Sequence, residues 1–140
     1  MRLIANGILA AGLLAAAPAL AADLTVTVTG VRSDAGVMRV ALFDVPKEFP
    51  EGEKRDSIEV AAHNDRVSVT FRNLPPGRYA LAIHHDEDGD DAMKTNAVGL
   101  PLEGYGFSND APVFLGPPGF DKAAFDVPES GTTISLKARY

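Results

Sequence analysis

The chain has 140 residues, with 13 lysines and arginines against 19 aspartates and glutamates, a formal net charge of −6 and no cysteine. That balance argues against a nucleic-acid partner, which needs a basic patch for the phosphates, and the lack of thiols excludes disulfides, thiol catalysis and thiolate metal sites. The length suffices for one domain with its own core and leaves no room for a second.

Met1-Arg2-Leu3-Ile4 opens on a single positive charge and runs into an apolar stretch from Ile8 to Ala17, then Pro18 and the small residues Ala19-Leu20-Ala21-Ala22. This pattern predicts a secretory signal peptide over residues 1–21, cut after Ala21, with Ala22 the next choice. The apolar run falls short of the roughly 20 residues that a spanning helix needs, so no transmembrane segment is expected after cleavage. Residues 22–140 are then a single exported domain, in the periplasm or outside the cell. Its stability has to come from a packed core.

Alternation of period two recurs through residues 22–140 and predicts half-buried strands. Leu24, Val26 and Val28 face one way and Thr25, Thr27 and Thr29 the other. The turn Ser33-Asp34-Ala35-Gly36 feeds a second strand, Val37–Phe43, in hairpin spacing. A proline- and charge-rich connection follows from Asp44 to Asp56, with Phe49 as its anchor. Ile58–Ala62 and Arg66–Arg72 read as a further hairpin turning at His63-Asn64-Asp65, and Leu74-Pro75-Pro76-Gly77 predicts a tight turn into a strand over Tyr79–Ile83. Near the C-terminus, Ala123–Val127 and Thr132–Ala138 read as two closing strands around Pro128-Glu129-Ser130-Gly131. About seven short strands without a convincing helix predict an all-β fold, a single antiparallel β-sandwich of transthyretin-like or immunoglobulin-like type.

The densest chemistry closes the strand after Ile83. His84-His85-Asp86-Glu87-Asp88-Gly89-Asp90-Asp91 places two imidazoles ahead of five carboxylates in six residues. Asp86, Asp88 and Asp90 have the one-three-five spacing of a loop that wraps oxygen ligands around Ca2+, and Glu103 is a further acid able to complete such a shell. Asp91 at position six, Lys94 at position nine and Ala97 at position twelve depart from the helix-loop-helix calcium pattern. Lys94 competes with an ion for the same carboxylates. The alternative is a solvated turn rich in aspartate because aspartate suits turns. Strand alternation puts His84 and His85 on opposite faces. His85 shares its face with Tyr79, Leu81 and Ile83, as a hydrogen-bonded histidine at the edge of the core would.

From Ala97 to Asp121 glycine and proline are dense, which predicts a long ordered loop of the kind that usually serves a purpose. Tyr105, Phe107, Phe114 and Phe120 either line a pocket beside the acidic loop or form a lid over one end of the sandwich. His85, Asn96, Tyr105, Phe107 and Asn109 make up the candidate ligand surface.

Leu74-Pro75-Pro76-Gly77-Arg78-Tyr79 resembles a corner found in transthyretin-like and collagen-adhesin-B-type sandwiches. The order of Val40-Ala41-Leu42-Phe43, that corner, His85-Asp86-Glu87-Asp88-Gly89, Thr95-Asn96 with Gly99, Gly104-Tyr105-Gly106-Phe107-Ser108-Asn109 and Gly116-Pro117-Pro118-Gly119-Phe120 resembles the bacterial domain-of-unknown-function family 2141. That resemblance implies an exported β-sandwich and no particular activity. Family members commonly follow the His-Asp-Glu string with asparagines, a glycine and then an aspartate. Here Asp88, Asp90 and Asp91 intervene and Lys94 takes the last place, which bears on any cation site built on the missing acid.

The expected function is therefore a non-enzymatic binding or interaction domain of the cell envelope, its partner an envelope protein, a glycan or a small ligand. A calcium-stabilised module, open to carbohydrate binding, is the alternative. A hydrolase using His84 or His85 with Asp86 lacks any nucleophile placed to act with them.

Overall fold

The computed structural model describes residues 12–16 and 20–140. Of the predicted signal peptide, residues 1–11 and 17–19 lie outside the described residues. The domain is a sandwich of two sheets built from eight strands: β1 Ala22–Val31, β2 Val37–Phe43, β3 Asp56–Ala61, β4 Asp65–Leu74, β5 Gly77–Asp86, β6 Gly104–Phe107, β7 Phe125–Val127 and β8 Thr132–Lys137. One sheet has the order β4-β1-β8; the other runs β3-β2-β5-β6, with β7 also pairing to β5.

The all-β sandwich agrees with the alternation in the sequence, and the pairing of strands departs from it in two ways. The expected hairpins β1–β2 and β3–β4 do not form, because in each case the chain crosses to the opposite sheet: β1 pairs with β4 and β8, while β2 pairs with β3 and β5. Period-two alternation reports which face is apolar, and a strand buries that face equally well in either sheet. Nor is the sandwich wholly antiparallel, since β8 runs parallel to β1, with Leu24 opposite Thr132 and Thr29 opposite Lys137.

Leu24, Val26 and Val28 of β1 meet Met38, Val40 and Leu42 of β2, Val67, Val69 and Phe71 of β4, Tyr79, Leu81 and Ile83 of β5, and Leu136 of β8 in one buried cluster. Burying each such side chain contributes about 1.5–3 kcal/mol. The Pro-Pro-Gly corner is held by the Tyr79 hydroxyl, which donates to the Pro75 carbonyl at 2.5 Å.

A second cluster covers part of the outer face of the five-stranded sheet. Phe43, Ala41 and Ala80 lie under Phe49 and Phe120, with Phe107 and Ala82 at the margin. Phe120 sits in a one-turn helix, α1 Phe120–Ala123, where a strand over Ala123–Val127 was expected; the strand itself is confined to Phe125–Val127. The predicted loop 97–121 likewise contains β6 and a 3-10 turn over Ser108–Asp110. The glycines of β6 conceal a strand from pattern reading, yet they are required there. A Cβ on Gly104 would lie 2.5 Å from the Tyr140 ring.

Candidate functional site

His84 and Asp86 are two residues apart on β5, so their side chains leave the same outer face of the sheet. In the β5–β6 pairing His84 lies opposite Tyr105 and His85 opposite Gly104, which brings Glu103, the residue just before β6, beside the end of β5. Two acids and one imidazole thereby converge at the hairpin end. Ligand-type atoms of His84, Asp86 and Glu103 all lie within 4.8 Å of one another, and so do those of Asp86, Asp88, Asp90 and Glu103.

Asp86 is fully buried. Its Oδ1 accepts the Gly89 N–H at 2.8 Å, and its Oδ2 accepts the Asp91 N–H at 2.9 Å and the Arg39 guanidinium at 3.1 and 3.2 Å. Burial by itself would push this carboxyl up. The Asp91 N–H, the Arg39 guanidinium and the Gly89 N–H outweigh it and hold the group below the usual carboxylate range. Arg39 arrives from β2 because it is the register partner of His84, and it also pairs with Glu59 and Asp91. Gly36, at φ +67°, makes room for this end of β5, since a Cβ there would lie 2.0 Å from the Asp86 carbonyl oxygen.

Glu103 is 4% exposed. Its Oε1 accepts the Glu87 N–H at 3.3 Å, and its Oε2 accepts the Lys94 N–H at 3.3 Å and the His84 Nε2–H at 2.9 Å. Asp88 and Asp90 sit on the solvent side, their Oδ1 atoms accepting the N–H groups of Asp90 at 3.3 Å and Ala92 at 3.0 Å. The Lys94 ammonium pairs with Asp88 and drives its carboxyl down to about 2, while the Lys94 amine is pushed up in return. Glu87 points the other way, toward Arg32 and the Ser33 hydroxyl, and the Arg32 guanidinium holds it below the usual range.

The structure divides the remaining candidates. His85 is fully buried; its Nε2 donates to the Ala35 carbonyl at 2.8 Å, so its Nδ1 accepts from the Tyr140 hydroxyl at 2.7 Å. It contributes no surface, as its apolar strand face indicated. Asn96 stands at the exposed loop tip and shapes it, its Oδ1 accepting the N–H groups of Val98 and Leu100, each at 3.0 Å. Tyr105 is half-buried beside His84, and Phe107 packs on Phe49 with ring centroids 5.8 Å apart. Asn109 takes a left-handed φ of 60° and donates to the Lys122 and Ala124 carbonyls at 3.2 and 2.8 Å. The four aromatics do not converge on one pocket. Phe120 is buried against Phe49, while Phe114 is 82% exposed.

Arg39 and Tyr140 escaped the sequence reading because nothing local links them to the acidic run. Their only signal is the pairing that places Arg39 across from His84 and the end of the chain across from Gly104. A depression of about 560 Å³ between Asp44 and Arg55 lies at the far end of β2 from the cluster. No helix among the described residues is long and apolar enough to cross a membrane.

No curated protein and no solved structure matches the chain. The model of the bacterial family described as "Uncharacterized protein conserved in bacteria (DUF2141)" matches residues 26–135, a span running from β1 into β8 and containing the whole of the acidic loop. With that span covering most of its length, the chain belongs to the DUF2141 family.

Proposed function

We propose that this protein is an exported, non-enzymatic binding domain of the cell envelope whose working surface is the end of the β5–β6 hairpin, where the acidic loop takes a calcium ion. The observation that carries this reading is the convergence of Asp86, Asp88, Asp90 and Glu103 carboxylate oxygens within 4.8 Å of one another on a hairpin anchored in the core. Ca2+ is a hard cation that takes six to eight oxygens, and carboxylates, backbone carbonyls and water all serve it.

Two cations compete with the ion, and they are unequal. Arg39 is bound to the buried Asp86 through Oδ2, which leaves Oδ1 as the oxygen that Asp86 offers. Lys94 is 52% exposed and its partner Asp88 36%. Solvent screens an exposed pair of that kind, so Lys94 swings into solvent at little cost. The expected affinity is that of extracellular calcium modules, with a Kd of about 10⁻⁴–10⁻³ M.

A binding role suits the histidines better than catalysis does. Both ring nitrogens of His85 are engaged in the interior, and His84 is tied to Glu103. The test is a thermal melt of chelator-treated protein with and without millimolar calcium, for wild type and for Asp88→Asn/Asp90→Asn. A calcium-dependent rise in Tm that the double variant loses is expected from mass action on the folded state. Equal melts for both proteins at every calcium concentration would exclude the loop as the site. Asp86→Ala is the poorer variant, because it also removes the buried partner of Arg39 and the acceptor of two loop N–H groups.

A further inference from the structure

The acidic loop is one half of the hairpin end; the other half is an imidazole. We propose that His84, Asp86 and Glu103 form a second, three-ligand site at this hairpin end, selective for a divalent first-row transition ion. The proposal deepens the cation-binding reading and rests on it only for the two carboxylates that both ligand sets share.

Three features build the site. Strand geometry supplies the first: His84 and Asp86 leave one face of β5, and Glu103 is delivered beside them by the β6 register. All three side chains are therefore carried at the ends of paired strands, whereas Asp88 and Asp90 ride on the loop. The second is distance. A first-row ion holds imidazole nitrogen and carboxylate oxygen at about 2.0–2.2 Å, so its donors lie about 3–3.5 Å apart. His84 Nε2 and Glu103 Oε2 are already 2.9 Å apart, and one ligand atom from each of His84, Asp86 and Glu103 lies within 4.8 Å of the other two. Ion binding takes the other tautomer: the ring proton moves to Nδ1, the Nε2–H bond to Glu103 is given up, the Nε2 lone pair turns to the ion, and a short rotation of these side chains closes the set.

The third feature is the surrounding support. Arg39 orients Asp86, and the N–H groups of Glu87 and Lys94 orient Glu103, the kind of outer hydrogen bonding that fixes metal-binding carboxylates. The side chains of Asp86 and Glu103 are 0% and 5% exposed and that of His84 is 18% exposed, so the site opens to solvent on the imidazole side. A water or an exogenous ligand takes the remaining coordination position there. Imidazole is the discriminating donor: it suits zinc, copper, iron and nickel, and adds little for calcium or magnesium.

Zinc is the probe. Chelator-stripped protein titrated with Zn2+ at neutral pH by calorimetry is expected to bind one equivalent. His84→Ala and Glu103→Gln should each weaken that binding at least tenfold, and Asp88→Asn/Asp90→Asn should leave it within threefold of wild type. His63 is exposed and serves as the control for adventitious binding, so His63→Ala should change nothing. Histidine ring NMR of the wild type guards against a variant that fails to fold: added Zn2+ should move the His84 resonances and spare those of His85 and His63. The proposal is overturned if the wild type takes no zinc, if binding survives His84→Ala, or if the His63 ring is the one that moves. Calcium and zinc separate the two readings. Zinc binding without any calcium response would overturn the calcium site and leave this one standing, and calcium binding that is lost in Asp88→Asn/Asp90→Asn, with no zinc uptake, would do the reverse.

Discussion

Asp86 and Asp88 stand two residues apart and are held ionised by different means. Asp86 is buried and relies on two backbone N–H groups and the Arg39 guanidinium, whereas Asp88 is exposed and relies on Lys94. Carboxyl NMR across an acid titration should place the Asp88 midpoint at about 2 in the metal-free protein. Lys94→Ala should return it toward the ordinary aspartate range, because its largest cause is the Lys94 contact. A midpoint unmoved by the substitution would mean that Lys94 does not sit on Asp88 in solution. At this scale the sequence was informative about composition and poor about roles. The one-three-five aspartates and the more distant Glu103 are visible as spacing, and Lys94 is visible as an intruder. Asp86 is interior and Asp90 exterior, and the guanidinium that pairs with the buried one comes from Arg39, 47 residues upstream of Asp86.

At the scale of elements, the Gly104–Asn109 string serves mainly to fasten one hairpin. Gly104 lets the Tyr140 ring approach, and Gly106 lies so close to β8 that a Cβ there would sit 2.6 Å from the Lys137 carbonyl oxygen. Ser108 is fully buried; its hydroxyl accepts the Leu81 N–H at 2.9 Å and donates to the Ala123 carbonyl, tying β5 to α1. Ser108→Ala leaves both backbone groups buried without that partner, and each orphaned group costs about 1–3 kcal/mol. Urea unfolding should show a loss of at least that size, while calcium and zinc titrations of the folded variant remain close to wild type. A stability loss below about 0.5 kcal/mol would mean that water replaces the hydroxyl. The string therefore reads as a ligand surface in sequence and as a fastening in structure, because glycine, serine and asparagine are the residues chosen for either purpose.

Across the whole molecule the acidic end is also where the two sheets are latched. Arg32 follows β1 of the three-stranded sheet and Glu87 follows β5 of the other, and they pair across the gap while Arg32 lies 4.3 Å over the Tyr140 ring. Asp86 and Glu87 are both depressed in the folded state. Well above their ordinary values, about pH 4, folded and unfolded chains are equally ionised and the full stabilisation is present. As pH falls through that range the unfolded chain takes up protons first, and stability declines until the folded carboxyls protonate in turn. Urea midpoints measured from pH 7 to pH 3 should thus fall on the acid side, and Glu87→Gln should flatten part of that fall. An acid slope identical to wild type in that variant would remove Glu87 from the account.

The sequence by itself determined the all-β class, the location of the core strands and the presence of an acidic loop, because alternation of apolar residues and runs of carboxylates are local properties that survive in one dimension. It also pointed to His85 as a core-edge histidine, since a side chain's face follows from its parity along the strand. Only the tertiary structure decided that β1 and β2 lie in different sheets, that β8 runs parallel to β1, and that His84, Asp86 and Glu103 meet. Strand pairing depends on complementarity between segments far apart in the chain, and each apolar face here fits more than one partner. The candidate site inherits that dependence, being assembled from two strand ends whose register is set by the packing of the sheets beneath them.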